Sequence, residues 1–294
     1  MSSNISHRAK MVLSPLPLGL VDKAVEAALS EDLGLAGDIT TDACVPADAR
    51  AVAILAARRS GVISGLQLAE AAFKSIDADV GFECVVQDGA QVAPGDEVAR
   101  ISGKARALLT AERVALNFMG RMSGIATLTR SYVEAIAATG AFIADTRKTT
   151  PGLRAFEKYA VRCGGGHNHR TGLFDAILIK DNHIVAAGGA AQAIAAARAH
   201  GGHMVKVEIE VDTLEQLRAV LPFGPDVVLL DNMSLDELRE AVSLAKGKVL
   251  LEASGGVNLE TVRGIAETGV DLISVGALTH SAPVLDLGLD FKSA

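Results

Sequence analysis

The sequence predicts an α/β protein, with an N-terminal α+β domain over residues 1–118 followed by an incomplete (β/α) barrel over residues 119–294. Three observations carry this expectation. Short apolar runs recur at residues 142–144, 176–179, 205–211, 227–230, 249–251 and 272–275, and helical stretches separate most of them. Nearly continuous apolar strands alternating with helices indicate a parallel sheet covered by helices. Each run ends in polar residues, as at the working end of a barrel. Finally, 294 residues suit two domains at roughly 150 residues each, or one barrel with an extension. Six units in about 140 residues fit a barrel of fewer than eight strands, with an open doubly wound sheet as the alternative.

The first helix is read from Val21, Ala24, Val25, Ala28 and Leu29, which fall at i, i+3, i+4, i+7 and i+8 on one helical stripe. The polar, glycine-containing segment 30–42 ends it. A strand over 51–57, a helix over 66–76 and a strand over 82–86 follow. Asp88-Gly89 and Pro94-Gly95 are turn signals flanking Val92, so hairpins are expected before a strand at 97–101. Helical stretches 107–119 and 125–138 lead into the barrel, where helices at 190–200, 214–221, 235–245 and 259–268 separate the strands. The extreme C-terminus is expected to pack back on the N-terminal domain.

Composition narrows the function. Lys plus Arg number 28 against 35 Asp plus Glu, a formal charge of −7, which disfavours nucleic acid and anionic membranes as partners. Aromatics are 3% and Trp is absent, which also disfavours a base-stacking surface. No apolar run is long enough to span a membrane. The apolar stretch 11–21 follows His7, Arg8 and Lys10, but Pro15 and Pro17 interrupt it. It reads as a mobile lead-in to a cytoplasmic protein and not as a signal peptide. Cys44, Cys84 and Cys163 are too few and too scattered for a disulfide framework, which fits a reducing compartment.

Chemistry concentrates in residues 145–183. Seven Lys and Arg face four Asp and Glu there, a local +3 in an acidic chain, together with three of the seven histidines. An arbitrary basic loop is usually a solvated surface. Here Arg147-Lys148 and Lys180 each follow an apolar strand, a position suited to capturing an anionic substrate. Gly164-Gly165-Gly166 permits close backbone approach or a hinge. Cys163-x3-His167-x-His169 has the look of a zinc cluster, but Arg162 and Arg170 flank it and no second ligand pair exists. His169 is therefore read as a donor to substrate and Cys163 as packing. Lys180 also suits a Schiff base, which keeps a class I aldolase in view, although an aldolase needs no second group of cations. Glu210 and Asp231 suit an acid/base pair, Mg²⁺ ligands, ribose hydroxyl acceptors or plain strand caps. Glu208 shares the strand face of Glu210, so spacing does not choose between them. Ser254-Gly255-Gly256 and Gly276-Ala277 stand at the last two strand ends, where barrels bind phosphate.

The strings 146–154 (TRKTTPGLR), 157–159 (EKY), 164–170 (GGGHNHR) and 179–183 (IKDNH) resemble the quinolinate phosphoribosyltransferase family. Glu31-Asp32, 37–41 (GDITT), 110–113 (TAER), 229–232 (LLDN) and 252–256 (EASGG) extend the resemblance over nearly the whole chain. It implies an α/β N-terminal domain, an incomplete barrel and subunits that assemble at least as dimers. It implies that Arg113, Thr146, Arg147, Lys148, His169, Arg170 and Lys180 hold the quinolinate carboxylates and nearby phosphate. Arg113 would serve the partner's site, in trans, and Lys180 would be a catalytic cation. Glu210 and Asp231 would face the ribose of phosphoribosyl pyrophosphate and its Mg²⁺, directly or through water. Backbone around Ser254, Gly255, Gly256, Gly276 and Ala277 would hold the 5′-phosphate. Two rivals remain at this point: the related pyrophosphorylase-like protein of molybdenum-transport operons, and a non-catalytic anion-binding module. Intact Asn168-His169-Arg170 and Lys180-Asp181-Asn182-His183 oppose the first, and carboxylates at an anion pocket oppose the second.

Overall fold

The computed structural model describes residues 13–245 and 247–292; the lead-in around His7, Arg8 and Lys10 lies outside them. Among these residues the chain forms two compact units. The N-terminal unit holds residues 13–130, 159–165 and 282–292, and the barrel unit holds 131–158 and 166–281.

The N-terminal unit starts with α1 (Leu18–Leu33), which buries Val21, Val25 and Leu29 from the expected stripe. Next comes α2 (Ile39–Cys44), a short helix inside and beyond the segment read as a terminator; the Asp38 carboxylate caps it by accepting the Thr41 N–H at 2.9 Å. The chain continues through β1 (Arg50–Ala57), β2 (Gly61–Val62), α3 (Leu66–Ile76), β3 (Gly81–Cys84), β4 (Gln91–Val92) and β5 (Glu97–Lys104). The fully buried side chains of Leu55, Leu68, Phe73, Ile101 and Leu108 form its core. Then α4 (Ala105–Ala135) runs unbroken for 31 residues where the sequence suggested two helices. Gly120 and Gly124 lie in the gap between the two expected stretches. Their role is close approach, because a Cβ on Gly124 would lie 1.9 Å from the Pro283 carbonyl oxygen. Consequently residues 118 and 119 fall inside one helix, and the compact units divide between 130 and 131. Among the described residues no helix is long and apolar enough to cross a membrane.

The barrel unit follows from β6 (Phe142–Ala144) through α5 (Arg154–Cys163), β7 (Ile177–Ile179), α6 (Asp181–Ala187) and α7 (Ala190–Gly201). It goes on with β8 (Val207–Val211), α8 (Leu214–Val220), β9 (Val227–Asp231), α9 (Leu235–Ala245), β10 (Leu250–Ser254), α10 (Val262–Ala266), β11 (Leu272–Ser274) and α11 (Ala277–His280). The final strand, β12 (Leu287–Phe291), returns to the N-terminal unit, pairs antiparallel with β1 and completes the sheet order β12-β1-β5-β3.

The barrel strands run parallel in the order β6-β11-β10-β9-β8-β7. That order is cyclic: β7 to β11 follow in sequence and β6 lies beside β11, leaving an opening only between β6 and β7. A doubly wound sheet would instead reverse direction at its middle. The incomplete barrel is therefore the fold. The free edge of β6 is partly covered by the segment after the triple glycine. His167 forms a parallel bridge with Ala144, donating to the Ile143 carbonyl at 2.7 Å and accepting from the Asp145 N–H at 3.1 Å.

Strand register then decides which residues share the inner face. Leu178 pairs with Glu208, Glu208 with Val227, Glu210 with Leu229, and Leu229 with Glu252; Glu252 pairs with Leu272, and Leu272 with Phe142. Because strand side chains alternate faces, Thr146, Lys180, Glu208, Glu210, Asp231, Glu252, Ser254 and Gly276 share the parity of this face. Ile209 and Val211 have the opposite parity and are buried.

Candidate active site

Lys180 follows β7 in the position beside Glu210, and its Nζ donates to Glu210 Oε2 at 2.5 Å. The lysine is exposed and the glutamate half-buried. His183 fixes the turn beneath them, its Nδ1 accepting the Lys180 backbone N–H at 2.9 Å. On the neighbouring strand, half-buried Asp231 accepts from the Asn232 side-chain amide at 2.8 Å. The Asn232 N–H donates to the Ser254 carbonyl, which ties the ends of β9 and β10 together. Gly255 has φ +92°, and a Cβ there would lie 2.1 Å from Asn232 Oδ1. Only glycine fits that turn. At the ends of β6 and β11, the Lys148 side chain lies over Gly276, and the Lys148 carbonyl accepts from the Thr279 hydroxyl at 2.7 Å. Thr146 Oγ1 accepts the Lys148 N–H at 3.1 Å. Gly256 is exposed, and Ala277 opens α11.

Behind this face lies a buried polar network. Asp145, on the opposite parity of β6, accepts from the Lys158 ammonium, from Asn168 Nδ2 at 2.6 Å and from the His169 N–H at 2.9 Å. Lys158 also donates to the His169 carbonyl at 2.9 Å. Burial pushes the Asp145 carboxyl up and the Lys158 ammonium down. Glu157 clamps the 149–152 turn by accepting from the Thr150 N–H and hydroxyl, and Arg154 donates to Thr149 Oγ1. Two of the seven cations in the segment, Arg154 and Lys158, thus brace its backbone.

His169, held at both its N–H and carbonyl, points its ring at the barrel face. Its Nε2 lies 2.8 Å from Glu208 Oε2 and 3.8 Å from Glu252 Oε1. Burial works against a charged imidazole, but Glu208 and Glu252 outweigh it and raise the His169 pKa. Burial, then the Glu208 charge, pushes Glu252 up to about 7. Next in the chain, Arg170 donates to the Ala176 carbonyl at 3.3 Å. Burial first and the nearby Arg147 second disfavour its charge. The Nε atoms of Arg147 and Arg170 are buried without a hydrogen-bond partner. Among the described residues neither guanidinium forms an ion pair, so both remain available to an anion.

The strand ends therefore bring together Lys180 with Glu210, Asp231 with Ser254 and Gly255, Lys148 with Gly276, and Arg147 with Arg170. Arg113 lies apart in sequence on α4 of the N-terminal unit, exposed and lining a cavity of about 600 Å³ with Arg59, Asn117 and Asp286. Cys163 is buried in that unit, where the Ser64 hydroxyl donates to its sulfur at 3.3 Å. Burial drives its thiol up to about 12, the behaviour of a packing residue. Sequence reasoning assigned no role to Glu252, Asp145 or Lys158 and left Glu208 undecided. A signal existed for the glutamates: both interrupt apolar strands with the parity of Leu178 and Leu229.

Residues 38–123 match the quinolinate phosphoribosyl transferase N-terminal domain and residues 125–290 its C-terminal domain. The nicotinate-nucleotide pyrophosphorylase (carboxylating) of Mycobacterium leprae is 45% identical over 284 residues, 95% of this chain and 100% of that protein. Quinolinate phosphoribosyltransferase (decarboxylating) 2b of Nicotiana tabacum, a mitochondrial protein, is 44% identical across 91% of this chain and 81% of its own length. The solved structure of NadC from Streptococcus pyogenes superposes with a TM-score of 0.91 at 42% identity, covering 95% of this chain and 100% of that one.

Proposed function

Because the chain belongs to the quinolinate phosphoribosyltransferase family, and transfers phosphoribosyl from phosphoribosyl pyrophosphate to quinolinate with loss of CO₂ to give nicotinate mononucleotide in NAD biosynthesis, we infer that the barrel strand ends carry this reaction. The observation that supports the assignment is the pair of guanidiniums, Arg147 and Arg170, that form no ion pair among the described residues and keep a buried Nε without a partner, Arg170 standing next to His169 in the chain. A pyridine dicarboxylate needs such a surface, and generic ion-paired loops do not provide one.

In this reading Arg147, His169, Arg170 and Lys148 hold the quinolinate carboxylates and aim the ring nitrogen at ribose C1. The C1–pyrophosphate bond breaks as the nitrogen attacks, and cations at the strand ends offset the charge gathered on the departing oxygen. Lys180 acts as a charge and not as a nucleophile, exchanging Glu210 for substrate phosphate or carboxylate. Glu210 and Asp231 face the ribose and stabilise positive charge developing at C1. The quaternised ring nitrogen then withdraws electrons, the bond from C2 to its carboxylate breaks, CO₂ leaves, and C2 takes a proton. Positive-φ backbone at Gly255 and Gly256 suits the 5′-phosphate, as does Gly276-Ala277.

Glu210 and Asp231 are hard oxygen donors at the ends of adjacent strands, and they fit Mg²⁺ held directly or through water. Bound there, Mg²⁺ would neutralise charge on the pyrophosphate. Arg113, exposed and without an ion pair among the described residues, fits a role in the partner's site of a homodimer. The exposed thiols of Cys44 and Cys84 suit a reducing compartment and support a cytoplasmic location.

A mass balance tests this reading. With quinolinate, phosphoribosyl pyrophosphate and Mg²⁺, the protein should release pyrophosphate and CO₂ in equal amounts, and neither without phosphoribosyl pyrophosphate. CO₂ release that ignores phosphoribosyl pyrophosphate would overturn it.

A further inference from the structure

Glu208 and Glu252 have no part in the reaction as derived, yet both sit on the barrel face with 6% and 3% exposure. Each keeps one carboxylate oxygen, Oε1, buried without a hydrogen-bond partner. With His169 they bring ligand-type atoms within 4.8 Å of one another. Two ionised carboxylates this close and this dry repel each other, and their bare oxygens can only accept. One proton relieves both faults: as an acid, Glu252 can donate, while the carboxylate facing His169 keeps its charge. The raised Glu252 pKa agrees with this arrangement. A metal ion is a poorer occupant, since Lys158 donates to the His169 carbonyl and Arg170 is the next residue.

The ring geometry gives the arrangement a purpose. His169 Nε2 is committed to Glu208, and no hydrogen bond to Nδ1 is found among the described residues. A neutral ring giving its proton to Glu208 would present a bare Nδ1 lone pair, which repels an anion. Opposite a Glu208 carboxylate, which accepts the Nε2 proton, only the imidazolium also presents an N–H at Nδ1. We propose that Glu208 and Glu252 are positioning residues that keep His169 an imidazolium, its Nε2 tied to Glu208 and its Nδ1–H free to donate to a substrate carboxylate. This rests on the reading of His169 as a quinolinate contact. The charged groups around the ring act in both directions: Glu208 from β8 favours the imidazolium, Glu252 from β10 adds to this when it is ionised, and Lys158 from α5 opposes it. Asp145 holds only the backbone N–H. Quinolinate binding should therefore persist upward in pH and fade as the raised His169 pKa is passed.

The test is the quinolinate KM and kcat from about pH 6 to about pH 9 for wild type, Glu208→Gln, Glu252→Gln and His169→Asn. Glu208→Gln should move the rise in KM about one pH unit or more lower, about tenfold in KM at a fixed pH above it. Its KM should recover toward wild type at pH 6, with a smaller effect on kcat. Glu252→Gln mimics the neutral acid and should move the rise in KM in the same direction by less than Glu208→Gln does; a larger shift than that of Glu208→Gln overturns the assignment of Nε2 to Glu208. An unaltered KM for phosphoribosyl pyrophosphate shows that each variant is folded. Should Glu208→Gln not fold, ¹⁵N NMR of the wild-type imidazoles decides: the proposal requires both nitrogens of His169 protonated at pH 7, and a neutral ring overturns it. An unshifted pH profile in folded Glu208→Gln also overturns it. If His169→Asn leaves the quinolinate KM unchanged, the reading of His169 itself fails; if it raises KM while Glu208→Gln does not shift the profile, only the positioning role fails.

Discussion

Replacing Asp145 by Ala should destabilise the protein far more than an average substitution. The carboxylate is 0% exposed and accepts from Lys158, Asn168 and the His169 N–H. Its loss leaves the Lys158 ammonium, 4% exposed at the side chain, with the His169 carbonyl at 2.9 Å. Breaking one side of a buried pair costs ~3–5 kcal/mol. An independent ceiling comes from the lysine's escape by losing its proton: from an ordinary pKa near 10.4, neutrality at pH 7 costs about 5 kcal/mol, and at pH 9 about 2 kcal/mol. The orphaned His169 N–H adds ~1–3 kcal/mol in isolation, part of which relaxation recovers. We expect a loss of about 3–5 kcal/mol at pH 7 that shrinks toward pH 9. The sign is set by Lys158, whose folded pKa in the variant lies below its unfolded one, so the deficit closes as pH rises toward the unfolded value. Urea unfolding followed by circular dichroism at the two pH values measures it. The double variant Asp145→Leu with Lys158→Met should lose less than Asp145→Ala alone. A deficit below about 1 kcal/mol, or a double variant less stable than the single one, would refute the reasoning.

Lys180→Ala should lower kcat by roughly 10²–10³-fold, the effect of removing one charged donor from a transition state, and borohydride should trap no adduct on wild-type Lys180. Gly255→Ala, placing a Cβ 2.1 Å from Asn232 Oδ1 at φ +92°, should strain the turn by ~1–3 kcal/mol and raise the KM for phosphoribosyl pyrophosphate more than that for quinolinate. Mixing inactive Arg113→Ala and Arg147→Ala subunits should restore roughly a quarter of wild-type activity if Arg113 acts across a symmetric dimer; no recovery after demonstrated subunit exchange would place Arg113 in its own subunit's site.

The barrel was legible because its strands are short apolar runs with charges immediately after them, and parallel strands buried on both faces leave that trace. The strand-end positions of Lys180, Glu210 and Asp231 were legible for the same reason. The continuity of α4 was not, since glycines that admit a neighbouring backbone look in sequence like glycines that end a helix. α5 was not expected, because Arg154, Glu157 and Lys158 were weighed only as charges of the cationic segment, although they turn inward to Thr149, Thr150 and Asp145. Partners for a buried charge come from other segments, as Lys158 draws on Asp145 just after β6, and spacing along the chain cannot name them. Glu208 and Glu252 fell between these cases: parity marks their face, but only the folded barrel brings them to His169.

In the proposed reaction the strand-end cations read two carboxylates on one ring. The most direct measurement is kcat/KM for quinolinate against nicotinate, which lacks the C2 carboxylate, at saturating phosphoribosyl pyrophosphate. Losing one buried charge-assisted contact costs ~1.5–3 kcal/mol, so the cluster should favour quinolinate by at least about tenfold to a hundredfold. Arg147→Ala and Arg170→Ala should each narrow that ratio. Nicotinate turned over as efficiently as quinolinate, or a ratio untouched by either substitution, would contradict the account.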